Sequence, residues 1–338
     1  MEFCEYGKTP DENVLSFMAN HKHSSVWHTK EWNDMLVCTS ISSEYVYFSV
    51  MQDDLIAIAG IIQVRSHSIW KYGYIQAGFL YNNINTQAYN VLSKGLKDIA
   101  RQKGLTYCLV DSVTPKDNQL YNIITKQNSH RFDVKPVIPT FTNILDITQT
   151  DEEILARMKP KGRYNIKLAQ KKSVLVEEGT IDDLDEYYEI LLETTNRDGF
   201  RPNTKSYYNR FLSMNPEAKF LVARHEGEII AGGFFVYHGN TGLYYYGASS
   251  NHKRNLMAPY LLQWQALQLA KSKGKLSYDF MGIANPNDPN DSLQGVTDFK
   301  LKFGDGITEF NAPYIITFNN LSYKFYKFAL RIKALIRK

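Results

Sequence analysis

The sequence predicts an α/β (α+β) protein built from two tandem copies of one module. Its 338 residues exceed a single domain of about 150 residues. Its first half carries a run of β-rich segments, then a long amphipathic helix closed by glycine, then one more strand. The same order returns about 170 residues later, half a chain length on.

In the first half, residues 44–51, 55–64 and 69–76 are rich in Ile, Val and Tyr and are broken by Asp53-Asp54 and Ser66-His67-Ser68. They read as three antiparallel strands. Residues 86–103 place Tyr89, Leu92, Leu96, Ile99 and Ala100 at helical spacing, and Gly104 supplies the left-handed residue that ends such a helix. A strand over 105–111 follows. Between the copies, Thr150-Asp-Glu-Glu153 has the form of a capping box, so a helix starts near Asp151 and must break or kink at Pro160. After the break Arg163, Lys167 and Lys171 recur every four residues and share one helix face. Two helical segments, 182–196 and 204–214, precede strands 219–225, 228–237 and 242–247. Helix 255–273, Gly274 and strand 276–281 complete the second copy. Its order is β-α-α-β-β-β-α-β.

Composition excludes several classes. With 43% hydrophobic and 22% charged residues the chain is neither disordered nor collagen-like. The longest apolar stretch, 55–64, falls far short of the roughly 20 residues of a membrane-spanning helix. Residues 1–10 lack a basic segment and an apolar core and contain Glu2 and Glu5, so a cytoplasmic protein is expected. Cys4, Cys38 and Cys108 are odd in number and have no C-x-x-C spacing, and His21, His23 and His28 have no suitably placed carboxylates. No metal site and no disulfide framework follow. Net charge is +4, but residues 157–172 hold seven basic residues and 324–338 hold six, both without an acid. The remainder, 26 basic against 35 acidic, is negative, so the basicity is local and suits phosphate or an anionic surface.

The order of a hairpin-rich sheet, a long helix and a further strand resembles the GNAT acyltransferase fold. In that superfamily a glycine-bearing loop opens the long helix, and its backbone N–H groups hold the pyrophosphate of coenzyme A. Here 251–258 (NHKRNLMA) and 81–88 contain no glycine, so no CoA cofactor is expected. P-loop, nucleophile-elbow, zincin and dinucleotide motifs are absent.

Several stretches together resemble the FemABX aminoacyltransferases. Thr140-Phe-Thr-Asn-Ile-Leu-Asp146 leads into Glu152-Glu153, Lys161-Gly-Arg-Tyr-Asn-Ile-Lys167 and Val174. Later come Tyr278-Asp-Phe-Met-Gly-Ile283, Gly295-Val296 and Phe299-Lys-Leu-Lys-Phe-Gly304. The resemblance runs from about residue 25 to the C-terminus. It departs from the family pattern at Ile75-Gln-Ala-Gly78 and at Ser112 after Asp111. It implies two GNAT-like domains, 1–147 and 148–314, with a C-terminal helix, 315–338, packing back on the first. Too few residues separate Met214 from the next strand for the long helical arm of some members, so the compact, FemX-like form is expected.

The resemblance implies transfer of glycine, alanine or serine from aminoacyl-tRNA to the side-chain amine of the third residue of a peptidoglycan stem peptide. The acceptor would be UDP-MurNAc-pentapeptide or lipid II, the protein a monomer, and contact with the inner membrane face peripheral. The alternative is a GNAT-like N-acyltransferase acting on an exopolysaccharide or lipid amine.

Aminolysis of an aminoacyl ester needs the amine held near the ester, the oxyanion supported and a proton removed. Lys300, after Phe299 in the matching motif, is the candidate cation for the oxyanion or terminal adenosine; the alternative is a solvated lysine on a short helix. Asp111, at a strand end, would orient or deprotonate the acceptor amine, or serve as a turn residue. Lys30, Arg197, Arg201, Tyr207, Tyr244 and Tyr246 stand in or near segments that would meet the acceptor's phosphates. Strand alternation puts Tyr244 and Tyr246 on one face and Tyr245 on the other, with core packing as the default. The ridge Arg163, Lys167 and Lys171 would bind tRNA phosphates, or be a solvated face. Phe325, Phe328, Ala329, Ile332, Leu335 and Ile336 form an apolar stripe beside Lys324, Lys327 and Arg331, suited to packing on the first domain or to an anionic membrane.

Overall fold

The computed structural model describes the chain except Asn128, Asp133, Lys135, Arg337 and Lys338 and the side chains of 333–336. Leu335 and Ile336 of the apolar stripe therefore lie outside the described side chains. The chain forms two units, Met1–Thr140 with Glu309–Lys338, and Phe141–Thr308.

In the first unit the chain runs β1 (Glu2–Gly7), α1 (Glu12–Asn20), α2 (Lys30–Cys38), β2 (Glu44–Gln52), β3 (Leu55–His67), β4 (Trp70–Ile75), β5 (Leu80–Tyr81), α3 (Thr86–Lys103), β6 (Tyr107–Val110), α4 (Asn118–Ile124) and β7 (His130–Arg131). Asp53 and Asp54, both at positive φ, make the tight turn between β2 and β3, as a two-residue hairpin requires. β4 and β6 pair in parallel, Gly73 with Cys108 through Ile75 with Val110. A parallel pair needs a crossover, and α3 supplies it. Asn85 caps its start by accepting the Ala88 N–H, and Gly104 ends it at φ +69°. The face Leu92, Leu96 and Ile99 packs on Val46, Phe48, Ile58 and Ile62 in one core.

The second unit runs β8 (Phe141–Asp146), α5 (Asp151–Arg157), α6 (Pro160–Lys171), β9 (Leu175–Glu178), α7 (Leu184–Asp198), α8 (Lys205–Met214), β10 (Ala218–His225), β11 (Glu228–His238), β12 (Thr241–Ser249), α9 (Ala258–Ser272), β13 (Ser277–Gly282), α10 (Gln294–Lys300) and β14 (Ile307–Glu309). The Thr150–Glu153 capping box forms, and Pro160 opens α6 rather than interrupting a longer helix. The sheet order is β14-β8-β13-β12-β11-β10-β9. Again one parallel pair occurs, β12 with β13, crossed by α9.

The chain then returns to the first unit as β15 (Tyr314–Thr317) and α11 (Asn320–Ile336). The expected C-terminal helix over 315–338 is thus corrected at its start. Tyr-Ile-Ile-Thr is β-branched and buried, and it pairs with β6, Tyr314 with Val110 through Thr317 with Tyr107. α11 follows, its Tyr323 and Tyr326 against Tyr107. The division also falls at 140/141 and 308/309 rather than 147/148 and 314/315. The reason is strand pairing: β8 is held by β13, and β15 by β6. Each sheet therefore takes the strand beside its parallel pair from a distant stretch of sequence. Among the described residues no helix is long and apolar enough to cross a membrane.

β15 also completes a buried polar cluster. Tyr89 Oη lies 2.6 Å from His130 Nε2 and 3.2 Å from Tyr314 Oη, and the His130 ring stacks on Tyr314. Burial, with Lys97 and Arg131 nearby, holds the His130 imidazole down at about 4. The unfolded chain therefore takes up this proton near pH 6.5 while the native chain refuses it until near 4. The His130 contribution to stability is complete above pH 6.5 and is lost as pH falls through that window. Urea unfolding at pH 7 and pH 4.5 should show a larger loss in the wild type than in His130→Gln, by about 2 kcal/mol.

Candidate active site

In the second unit β12 and β13 are paired only from Thr241–Leu243 against Ser277–Asp279. Beyond Leu243 lies a cleft of about 930 Å³, bounded by β12, the start of α9, α6, the end of α7 and α10. Tyr244 and Gln263 lie on its wall, with Lys161 and Asn165 from α6 and Phe299 and Lys302 from the α10 segment. Arg197, Lys253 and Arg254 add positive charge, set against Asp198 and Asp298. Arg197 Nη1 donates to Asn251 Oδ1 at 2.6 Å while its Nε pairs with Asp198 at 2.8 Å.

The entry to α9 is built without glycine. Lys253 and Met257 take the left-handed conformation instead, and a single 3-10 turn, Arg254–Leu256, joins them. The Leu256 and Met257 N–H groups are spent on Lys253 and Arg254 carbonyls. In a pyrophosphate cradle such groups face the ligand.

Lys300 is buried, 6% exposed, which removes the reading of a solvated lysine. Its Nζ donates to the Gly282 carbonyl at 2.7 Å and lies 5.8 Å from the Tyr244 ring centroid. Burial pulls its pKa down to about 8, against the pull of Asp279 upward. Asp279 itself accepts hydrogen bonds from Thr142 Oγ1 and the Met281 N–H. The neighbouring Phe299 lines the cleft and meets Tyr260 edge-on at 5.0 Å. Two devices fix this segment. Asn143 donates to the Lys300 and Gly304 carbonyls and accepts the Gly306 N–H. Gly162 lies so close that a Cβ would stand 2.5 Å from the Lys302 carbonyl, which also accepts the Lys159 N–H.

The structure separates the other candidates. Asp111 belongs to the first unit and is buried. Its Oδ2 accepts from Tyr74 Oη at 2.6 Å and from the Val137 and Ile138 N–H groups, while its Oδ1 has no partner among the described residues. Burial raises its pKa. Lys30, also in the first unit, is exposed and paired with Asp34. Arg201 is exposed in the loop between α7 and α8. Lys167 and Lys171 are exposed on α6, but Arg163 donates to the Ala156 and Met158 carbonyls and so caps α5.

The tyrosine alternation is corrected. A register shift in β12 pairs Tyr244 with Phe235 and Tyr246 with Phe234, leaving Tyr245 as the extra residue of a β-bulge. Tyr244 stacks on Phe235 and faces the cleft. Tyr246 joins Tyr207, Tyr208 and Phe211 on the α8 side, its Oη 3.1 Å from Tyr207 Oη. Lys161 and Lys302 were legible as members of the matched motifs but not as cleft residues; Gln263 had no sequence signal.

Asn143→Ala should cost about 2–4 kcal/mol in urea unfolding, since it strands a buried N–H and two carbonyls. Gly162→Ala should cost about 1–3 kcal/mol by forcing α6 away from the Lys302 carbonyl.

The FemAB family model matches residues 9–225 and 215–331. The lipid II:glycine glycyltransferase of Staphylococcus saprophyticus is 21% identical over 412 aligned positions, covering 97% of this chain and 98% of that protein. The crystal structure of FemX superposes with a TM-score of 0.83 at 18% identity, over 96% of this chain and 99% of that one. A tandem GNAT protein from the clavulanic acid biosynthesis pathway superposes with a TM-score of 0.58 at 14% identity, over 94% and 98%. Two GNAT-like units, one helix crossing over the parallel pair of each sheet, and a family match spanning nearly the whole chain give one conclusion: this acyltransferase belongs to the FemAB family.

Proposed function

We propose that the protein transfers glycine, alanine or serine from aminoacyl-tRNA to the side-chain amine of the third residue of a peptidoglycan precursor stem peptide. The acceptor is UDP-MurNAc-pentapeptide or lipid II. The observation that carries this reading is the near-complete coverage shared with a lipid II:glycine glycyltransferase. A cleft whose helix entry lacks glycine and spends the Leu256 and Met257 N–H groups on its own carbonyls supports a donor other than acyl-CoA.

In this reading the acceptor nitrogen attacks the ester carbonyl, a tetrahedral oxyanion forms, and it collapses with departure of the tRNA ribose hydroxyl, which takes up a proton. The reaction is downhill, so positioning and charge stabilisation do most of the catalysis. Lys300, anchored on Gly282 beside the cleft wall of Tyr244 and Phe299, supplies positive charge for the oxyanion or terminal adenosine. Asp111, whose Oδ1 has no partner among the described residues and whose pKa burial raises, orients the acceptor amine or takes its proton. Of the acceptor contacts we propose, Arg197 and Tyr244 line the cleft, and Lys30 and Arg201 act from exposed positions outside its lining. Tyr207 and Tyr246, hydrogen-bonded to each other on the α8 side, act through their packing rather than from the cleft wall. Lys167 and Lys171 meet tRNA phosphates, with Arg163 contributing from its place against α5.

The test is incubation with tRNA charged with labelled glycine, alanine or serine and either acceptor. Labelled muropeptide is expected, and no transfer from any donor would refute the reading. Saturable acyl-CoA binding instead would favour the acyltransferase acting on an exopolysaccharide or lipid amine. Lys300→Met should lower turnover by about 100-fold or more while acceptor binding persists. Wild-type turnover should fall as pH rises through about 8, where the Lys300 ammonium loses its proton.

A further inference from the structure

Among its described side chains, α11 is packed on one face. Tyr323 is buried against Tyr107 and Tyr326 lies beside it. On the opposite face Leu321, Phe325, Phe328 and Ile332 recur at helical spacing and are 65%, 58%, 60% and 41% exposed. Four large apolar side chains aligned on one helix face form a continuous stripe, unlike singly scattered surface hydrophobics.

The flank between these faces is basic. Lys324, Lys327 and Arg331 line a groove of about 400 Å³ with Arg131 and Phe328, so the apolar stripe and the groove share a side chain. Arg131 is anchored by the His130 carbonyl and Asn320 Oδ1. Lys324, Lys327 and Arg331 have no carboxylate within ion-pair distance among the described residues. No Asp or Glu follows Glu309 in the sequence.

We propose that α11 docks the protein on an anionic bilayer surface, with Leu321, Phe325, Phe328 and Ile332 entering the interface and the Lys324–Lys327–Arg331 groove receiving lipid phosphates. An apolar face flanked by cations that have no carboxylate partner among the described residues is the pattern of a helix lying in the headgroup plane. RNA would match the cations and leave Leu321 and Ile332 in water. A second copy of the chain would cover the stripe while bringing like charges together at the groove. Only a charged lipid surface satisfies both faces. The inference goes beyond the activity proposed above and needs neither donor nor acceptor.

The experiment is flotation of the full chain with phosphatidylcholine vesicles, with and without 40% phosphatidylglycerol, in the absence of tRNA and muropeptide. Binding is expected only with phosphatidylglycerol and should fall steeply between 50 and 500 mM salt. Replacing Lys324, Lys327 and Arg331 together by Gln should weaken it on the order of 100-fold. Phe325→Ser with Phe328→Ser should abolish it. Lys324, Arg331, Phe325 and Phe328 are exposed and Lys327 is half-buried with no carboxylate partner among the described residues, so both variants should melt like the wild type, which separates lost docking from lost folding. Failure to float with phosphatidylglycerol, or flotation unchanged in both variants, would overturn the proposal. So would a dimer in light scattering that Phe325→Ser dissociates, or uncharged tRNA binding that depends on these cations while vesicles do not bind.

Discussion

The parting of β12 from β13 after Leu243 is the constraint on which the second unit depends. Parallel strands cannot be joined by a tight turn, so α9 must cross over and cover one face of the sheet. Once the strands separate, their backbone groups lose their ladder and other groups must satisfy them. The Gly282 carbonyl, at the end of β13, is met by the Lys300 ammonium rather than by a strand. Opening the sheet and burying a cation are thus two sides of one arrangement.

Burying an ammonium is costly unless charge and hydrogen bonds compensate. Here Asp279 supplies opposite charge from the same strand, itself held by Thr142 and the Met281 N–H. The arrangement does not neutralise the cost, since Lys300 is left with a depressed pKa. Burial and the Asp279 charge together leave its pKa at about 8, so the side chain is still largely an ammonium at neutral pH. The surrounding anchors, Asn143 and the close approach of Gly162 to Lys302, hold α10 where the lysine must reach Gly282.

The first unit repeats the topology and uses it differently. Its parallel pair, β4 with β6, ends near Asp111, a carboxylate that draws the 137–138 backbone onto the strand end. One carboxylate oxygen does that structural work and the other has no partner among the described residues. A buried carboxylate oxygen with no partner among the described residues is rare in folded proteins.

What could be read from the sequence was local. The hairpin at Asp53-Asp54, the caps at Asn85 and Thr150, the break at Pro160 and the stop at Gly104 each depend on hydrogen bonds within a few residues. Matched motifs pointed to Lys300 and Phe299 through their neighbours. Tertiary structure decided the rest: β15 beside β6, β8 beside β13, the bulge that turns Tyr244 and Tyr246 apart, and the burial of Lys300. Tyr314 and Val110 are far apart in the chain, and nothing near either residue signals the other. Alternation along a strand holds only while its register is unbroken, and the partner strand, not the strand itself, decides where it breaks.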